Sequence, residues 1–263
     1  MPGSGNRDVV VVQGQHQAAG VAPARVCGGG AGARPARLRR ERAVMAAEPP
    51  GSLVAGGVRS LEVRWIFPGQ MGSAVARWFG RFPARAESRE DSYLLDPPVR
   101  GLSVKVRAGQ ALEVKVYHGS PGTLAVAGRA RGRLQSWQKW SFPFSPPGSG
   151  GGEPPGWRLV GKRRRISGFS SASGPIAAPA AGRGQRPRCE VELTEIRASG
   201  QDWWTLGLEA TGPAGLLRSE LEVTAALVFA QALPGGLQPG LDESRSYAQW
   251  LGQRPGAGGD ADA

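Results

Sequence analysis

The sequence predicts an α+β fold whose body is an antiparallel β-barrel, closed or nearly closed, with flanking helices. Three observations carry that expectation. Six to eight short segments alternate charged with apolar residues and are bounded by Gly, Pro or Ser turn signals. Two other segments repeat apolar residues at helical spacing, one near each end of the series. The 41 Gly and 22 Pro of the 263 residues are clustered, so they read as loops and tails around a normal core.

The ordered body begins near Arg59. Ser60–Phe67 sets Glu62 and Arg64 against Leu61, Val63 and Trp65, a period-two strand with one charged face, and Pro68-Gly69 ends it. Val75, Trp78, Phe79 and Phe82 recur at i, i+3, i+4 and i+7, the apolar stripe of a short helix. Asp91–Leu95 reads as a strand stopped by Pro97-Pro98. Leu102–Arg107 and Ala111–Tyr117 read as a hairpin joined through Ala108-Gly109-Gln110. The stretch Arg133–Phe144 is rich in aromatics, with Trp137, Trp140, Phe142 and Phe144, which favour a core over a base-stacking surface. A loop over Ser145–Gly156 precedes the basic strand Trp157–Ile166, and Ser167–Pro187 reads as a second long loop. Cys189–Ile196 and Trp203–Ala210 form a last hairpin around Ser199-Gly200. A helix over Leu216–Leu233 turns Leu217, Leu221, Leu227 and Val228 toward a core, and Pro234-Gly235-Gly236 stops it. Ser244–Leu251 adds a final amphipathic turn.

The expected organisation is an extension over residues 1–57, disordered by composition, one tunnel-like β domain over 58–252, and a disordered tail over 253–263. The Arg-rich patch Arg34–Arg42 has the composition of a transit peptide or nucleic-acid arm, but Met45 reads as a natural start with the extension mis-assigned. No apolar run approaches the ~18 residues of a membrane helix, so a helical span is excluded. Two cysteines, Cys27 and Cys189, make no disulfide framework, and a reducing, cytoplasmic setting is expected.

Net charge is +12, from 33 Lys and Arg against 21 Asp and Glu. Only Lys105, Lys115, Lys139 and Lys162 are lysines, and all four fall in strand-like segments, whereas the many arginines follow the Ala/Gly/Pro/Arg bias of the whole chain. Such a charge suits nucleic acid, nucleotide or polyphosphate partners. Residues at i and i+2 share one side of a strand, which pairs Glu62 with Arg64, Lys105 with Arg107, Glu113 with Lys115, Lys162 with Arg164, and Glu190 with Glu192. Two arrangements satisfy this pattern. An open sheet under the helices would put the charged faces in solvent. A barrel with helices packed outside would turn them inward, where they must pair or hold a polyanion together with a metal ion. In that interior Arg and Lys clamp phosphate oxygens and clustered carboxylates hold Mg2+ or Mn2+.

The order of these segments resembles the CYTH superfamily, the triphosphate tunnel fold of class IV adenylate cyclases, thiamine triphosphatases and inorganic triphosphatases, over about residues 59–233. The opening strand Ser60-Leu-Glu-Val-Arg64 keeps one glutamate and a basic residue of the family's signature. Tyr93, Pro97, Leu102, Lys105 and Arg107 match its tyrosine, turn and basic strand; Lys115 and Gly161–Arg165 match later basic strands. The acidic hairpin from Cys189 to Glu209, with a tryptophan in its second strand, matches its closing element. The resemblance implies that Arg64, Lys105, Arg107, Lys115, Lys162 and Arg164 contact phosphates, while Glu62, Glu190, Glu192 and Glu209 hold Mg2+ or Mn2+. It implies a metal-dependent hydrolase of a triphosphate, nucleotide or polyphosphate, without a protein nucleophile. Two departures, Ser60 in place of the first glutamate and Gly207 where another carboxylate fits, make a non-catalytic phosphate-binding module the alternative; RNA binding is a third reading. The run Gly156–Arg163 lacks the Ser or Thr and the helix of a P-loop. His16 and His118 are too few for a zinc site, and no Gly-x-Ser-x-Gly elbow occurs.

Overall fold

Eight strands of this chain close into an antiparallel barrel, in a computed structural model that describes residues 57–96, 101–144, 155–171, 174–176 and 187–253. The Met45 start, the Arg34–Arg42 patch, Cys27, the Pro97-Pro98 turn, most of the two long loops and the tail beyond 253 lie outside the described residues. In chain order the first elements are β1 (Val58–Pro68), α1 (Ser73–Phe79), β2 (Arg85–Leu94), β3 (Leu102–Arg107), β4 (Ala111–Gly119), β5 (Thr123–Val126) and β6 (Ala130–Arg133). The rest are β7 (Gln135–Pro143), β8 (Trp157–Ser170), β9 (Gly174–Ile176), β10 (Arg188–Ala198), β11 (Gln201–Thr211), α2 (Leu217–Val228) and α3 (Tyr247–Gly252). The ring runs β10, β11, β1, β7, β4, β3, β2, β8 and returns to β10, so none of the eight is an open edge. Glu192 marks the closure: it faces Gly207 of β11 on one side and Ile166 of β8 on the other.

Two tight turns follow from local chemistry. Ala108-Gly109 and Ser199-Gly200 have positive φ at both residues, the mirror-type geometry that matches the twist of paired strands. Each glycine takes that conformation without a Cβ clash.

The main hydrophobic core lies outside the barrel. Leu61, Val63, Trp65 and Phe67 of β1, Val191 and Leu193 of β10, and Leu206, Leu208 and Ala210 of β11 pack under α1, α2 and the β5–β6 hairpin. Gly132 of β6 lies flat on this surface, since a Cβ there would stand 2.5 Å from Val63 and 2.7 Å from the Trp65 ring. Because the outward residues are the apolar ones, period two forces the charged residues inward.

A C-terminal strap crosses one end of the barrel. Ile66 N donates to Glu243 O (3.0 Å), Arg131 N to Pro239 O (2.8 Å) and Arg245 N to Arg64 O (3.1 Å). A capping box, Ser246 with Gln249, then starts α3. Trp250 and Leu251 of α3 pack with Ile66, Tyr93, Val160, Ile196 and Ala198, an apolar layer across that end.

Several elements differ from expectation. β2 starts at Arg85, six residues before the Asp91 expected from sequence. The β5–β6 hairpin was not anticipated. The segment after Ile166 does not all loop out: β8 continues to Ser170 with Ser167 and Phe169 fully buried, and β9 pairs with it. α2 ends at Val228, five residues short of Leu233, because an arginine and a tryptophan from the α1 side capture the chain there. Arg81 donates to Val228 O and Trp78 Nε1 to Gln231 O (3.2 Å). Within α2, Leu227 is 43% exposed instead of facing the core, because it lies off the face that buries Leu217, Leu221, Thr224, Ala225 and Val228.

Candidate functional site

The ten residues singled out from sequence, Glu62, Arg64, Lys105, Arg107, Lys115, Lys162, Arg164, Glu190, Glu192 and Glu209, all line one cavity of about 560 Å3 inside the barrel. Strand alternation puts them there, since each occupies the face opposite the outer core. Lined also by Arg85, Arg89, Lys139 and Arg188, the bore carries ten Lys or Arg against five Glu, with Glu113 the fifth.

The charges are segregated. Cross-strand register aligns Glu62 with Glu209 and Glu209 with Glu190, so three carboxylates from β1, β11 and β10 form one row. Glu192 follows one step deeper. The remaining strands supply most of the cations. Lys115 faces Lys139 across β4 and β7, and Arg89 faces Lys162 across β2 and β8. Like charges directly opposite are unfavourable, which each wall relieves by pairing across the bore.

Those pairs are specific. Lys115 Nζ lies 2.6 Å from Glu62, which also accepts from Ser60 Oγ at 2.7 Å. Glu192 takes Arg64 (3.2 Å) on one oxygen and Arg164 on the other, and Thr194 donates to it at 2.6 Å. Glu209 is 3.9 Å from both Lys115 and Lys139, and Glu190 is 3.8 Å from Arg85. Deeper, fully buried Asp91 is reached by Lys162 (2.9 Å), Arg89 (3.0 Å) and Lys105 (3.3 Å), and Lys105 is also 3.0 Å from Glu113. Burial alone would raise the carboxyl pKa values, but the cations outweigh it. Glu87 is lowered to about 2, chiefly by Arg164 and Arg89, Glu113 to about 2 by Lys105, and Glu209 to about 2 by Lys115. Asp91 and Glu192 are lowered for the same reason. Lys162 goes the other way: burial and neighbouring Lys105 hold its pKa well below the usual lysine value despite Asp91.

The strap lies across the inner end. Ser246, Tyr247 and Ala248 line the cavity, and the Tyr247 ring sits 4.1 Å from Lys162 Nζ and 4.6 Å from the Arg64 guanidinium. Tyr93 Oη lies 2.6 Å from Lys162 Nζ, and Gln249 Oε1 accepts from Gln135 at 2.8 Å. At the opposite end the rim is basic, from Arg85, Arg107, Lys139 and Arg188.

Gly207 has a role that sequence alone did not show. A Cβ there would stand 2.9 Å from Arg64 Cζ and 3.0 Å from both terminal nitrogens, so the guanidinium lies flat over bare backbone. That seat lets Arg64 reach Glu192 and donate to Thr205 Oγ1 at 3.0 Å. Glycine here is a seat for a cation where sequence suggested a lost carboxylate.

Sequence reasoning missed Arg85, Glu87 and Arg89. Charged residues recur at 85, 87, 89 and 91, but the outward residues between them, such as Ser88 and Glu90, are polar too, so no apolar alternation betrayed the strand. Tyr247 carried no signal short of the fold itself.

Fold and cavity together define a closed eight-stranded antiparallel barrel with a mainly basic lining and the strap across one end. That architecture agrees with the one the CYTH resemblance implied. The sequence matches no family profile and no curated protein. Among solved structures, a conserved hypothetical protein from Pyrococcus furiosus aligns over 72% of this chain and 98% of its own, at 13% identity and a TM-score of 0.35. An RNA triphosphatase of S. pombe, Pct1, solved in complex with the Spt5 CTD, aligns over 65% of this chain and 80% of its own, at 11% identity and a TM-score of 0.31.

Proposed function

We propose that this chain is a divergent triphosphate-tunnel (CYTH) protein, a metal-dependent phosphohydrolase that takes the phosphate end of a triphosphate, nucleotide or polyphosphate into its bore. One observation carries the reading: ten basic side chains and a row of carboxylates, contributed by all eight strands, converge in a bore of about 560 Å3. Arg64, Lys105, Arg107, Lys115, Lys162 and Arg164 are the phosphate contacts of this reading, because guanidinium and ammonium groups bind phosphate oxygens through charge-assisted hydrogen bonds. With the strap across the floor, a phosphate terminus enters first from the opposite end and any organic group stays at the basic rim.

The donor set suits Mg2+ or Mn2+: Glu62, Glu209, Glu190 and Glu192 are all hard oxygen donors, three of them in one cross-strand row. Among the described residues no three acidic, His or Cys side chains converge on a point as they stand, and protein cations pair with the oxygens of Glu62 and Glu192. Such a metal would neutralise phosphate charge and supply an activated water. The chain's own part is to bind the phosphates, align them along the basic wall and exclude bulk water. Ser60, which hydrogen-bonds Glu62 in place of adding a carboxylate, favours the second reading, a binding module without turnover.

Purified protein incubated with tripolyphosphate, thiamine triphosphate or ATP, plus Mg2+ or Mn2+, is expected to release phosphate, and Lys115→Ala and Glu209→Gln to abolish release. Binding without release in any of these would establish the module instead. Neither binding nor release would end both readings.

A further inference from the structure

The bore's own cations occupy the carboxylates that would otherwise take a metal. Lys115 holds Glu62 at 2.6 Å, and Arg64 and Arg164 hold the two oxygens of Glu192. Lys115 and Lys139 both approach Glu209, and Arg85 approaches Glu190. Each wall therefore neutralises the other. A metal ion arriving alone must break these pairs and leave lysines and arginines uncompensated in a largely buried space, which is costly. A polyanion arriving alone takes the same cations and leaves the carboxylates uncompensated. Arriving together, each relieves the deficit that the other creates.

We propose that anion and divalent metal bind this bore with strong positive coupling, through exchange of the Lys115–Glu62, Lys115–Glu209 and Lys139–Glu209 pairs. The inference rests on reading the bore as a phosphate-chain site and adds how that site is switched: the anion frees the carboxylates. Lys115 is the exchange point, because it touches two of the three carboxylates in the row and stands opposite Lys139. Linkage is reciprocal, so the metal tightens the anion by the same factor, and a factor of about ten is expected for a coupling of this kind.

The test is Mn2+ affinity, read from loss of the free-ion electron paramagnetic resonance signal, at matched ionic strength in chloride and in sulfate. Sulfate offers oxygens to the bore cations while holding Mn2+ only weakly itself. Wild-type protein is expected to bind Mn2+ about tenfold tighter in sulfate. Lys115→Met is expected to bind Mn2+ in chloride about as tightly as wild type does in sulfate, and to lose most of the sulfate dependence. Lys139→Met, at a more exposed position, is expected to shift the same way by less, and stands in if the first variant fails to fold. Equal wild-type affinity in the two salts, or no Mn2+ binding in either, overturns the proposal. A separate calorimetric titration with tripolyphosphate in chelator tests the phosphate-site reading: no binding there sinks that reading without altering the Mn2+ comparison.

Discussion

The two faces of β1, β10 and β11, one sealed under helices and one lining the bore, are built from opposite chemistries. Outward, Trp65, Val191, Leu193, Leu206 and Leu208 are sealed beneath helices. Inward, Glu62, Arg64, Glu190, Glu192 and Glu209 are packed against the charges of the other wall. The outer face is stabilised by area removed from water and by dense packing. The inner face gains no such term; its charges pay a desolvation cost that mutual pairing offsets. The difference teaches where this fold keeps its stability and where it keeps its charge. Substitutions on the outer face damage the fold whatever is bound, whereas those on the inner face leave an electrostatic deficit that a ligand of the right sign repairs.

That contrast is open to attack by mutation. Trp65→Ala removes a fully buried ring that packs edge-on to Phe229 and donates to Arg131 O at 2.8 Å. A loss of about 4 kcal/mol is expected in denaturant unfolding, with no recovery on adding tripolyphosphate. Glu192→Ala leaves Arg64 and Arg164 without their shared carboxylate, for an expected loss of about 3 kcal/mol. Here tripolyphosphate should restore much of the melting temperature, and a ligand shift no larger than that of wild type would break the comparison.

Acid probes the inner face most strongly. A carboxylate whose folded pKa lies below its unfolded value stabilises the fold above the unfolded value and loses that contribution as pH falls to the folded one. Glu113 and Glu209 drop from 4.5 to about 2, held down mainly by Lys105 and Lys115 against the opposing effect of burial. Stability should therefore be fully present above about pH 4.5 and decline toward pH 2, by on the order of 2 kcal/mol per group. Glu113→Gln should flatten that decline in a pH series of unfolding curves. The smallest expected effect is that of Gly207→Ala. Its Cβ displaces only the far end of Arg64, so stability should change by less than about 1 kcal/mol, while anion affinity measured by calorimetry should shift several-fold.

Much of this was legible from sequence because period two is a local signal. Each strand that alternates charge with Val, Leu, Ile or Trp announced both its existence and the shared side of its charges, and all ten candidate residues fell on the bore. The sequence left open whether that side met solvent. Deciding it required knowing that β10 pairs with β8 as well as β11, a long-range closure that no local pattern encodes. β2 stayed half hidden because polar residues occupy both its faces. Leu227 was misplaced because it sits about 100° around the helix from Val228, off the stripe that buries Leu217, Leu221 and Ala225. The end of α2 was missed because Arg81, almost 150 residues away, holds Val228 O. Gly207 shows the same limit in miniature, since its meaning lies in a guanidinium delivered by another strand.

The layer of Trp250, Leu251, Ile66, Val160 and Ile196 lies across one end of the barrel, opposite the basic rim. On the proposed reading, a phosphate chain taken in at that rim would have to back out past it, so traffic would be last in, first out. A fragment cut free at the bottom would stay trapped behind the piece above it, and the departure of the outer piece, not the cut itself, would then set the pace of each cycle.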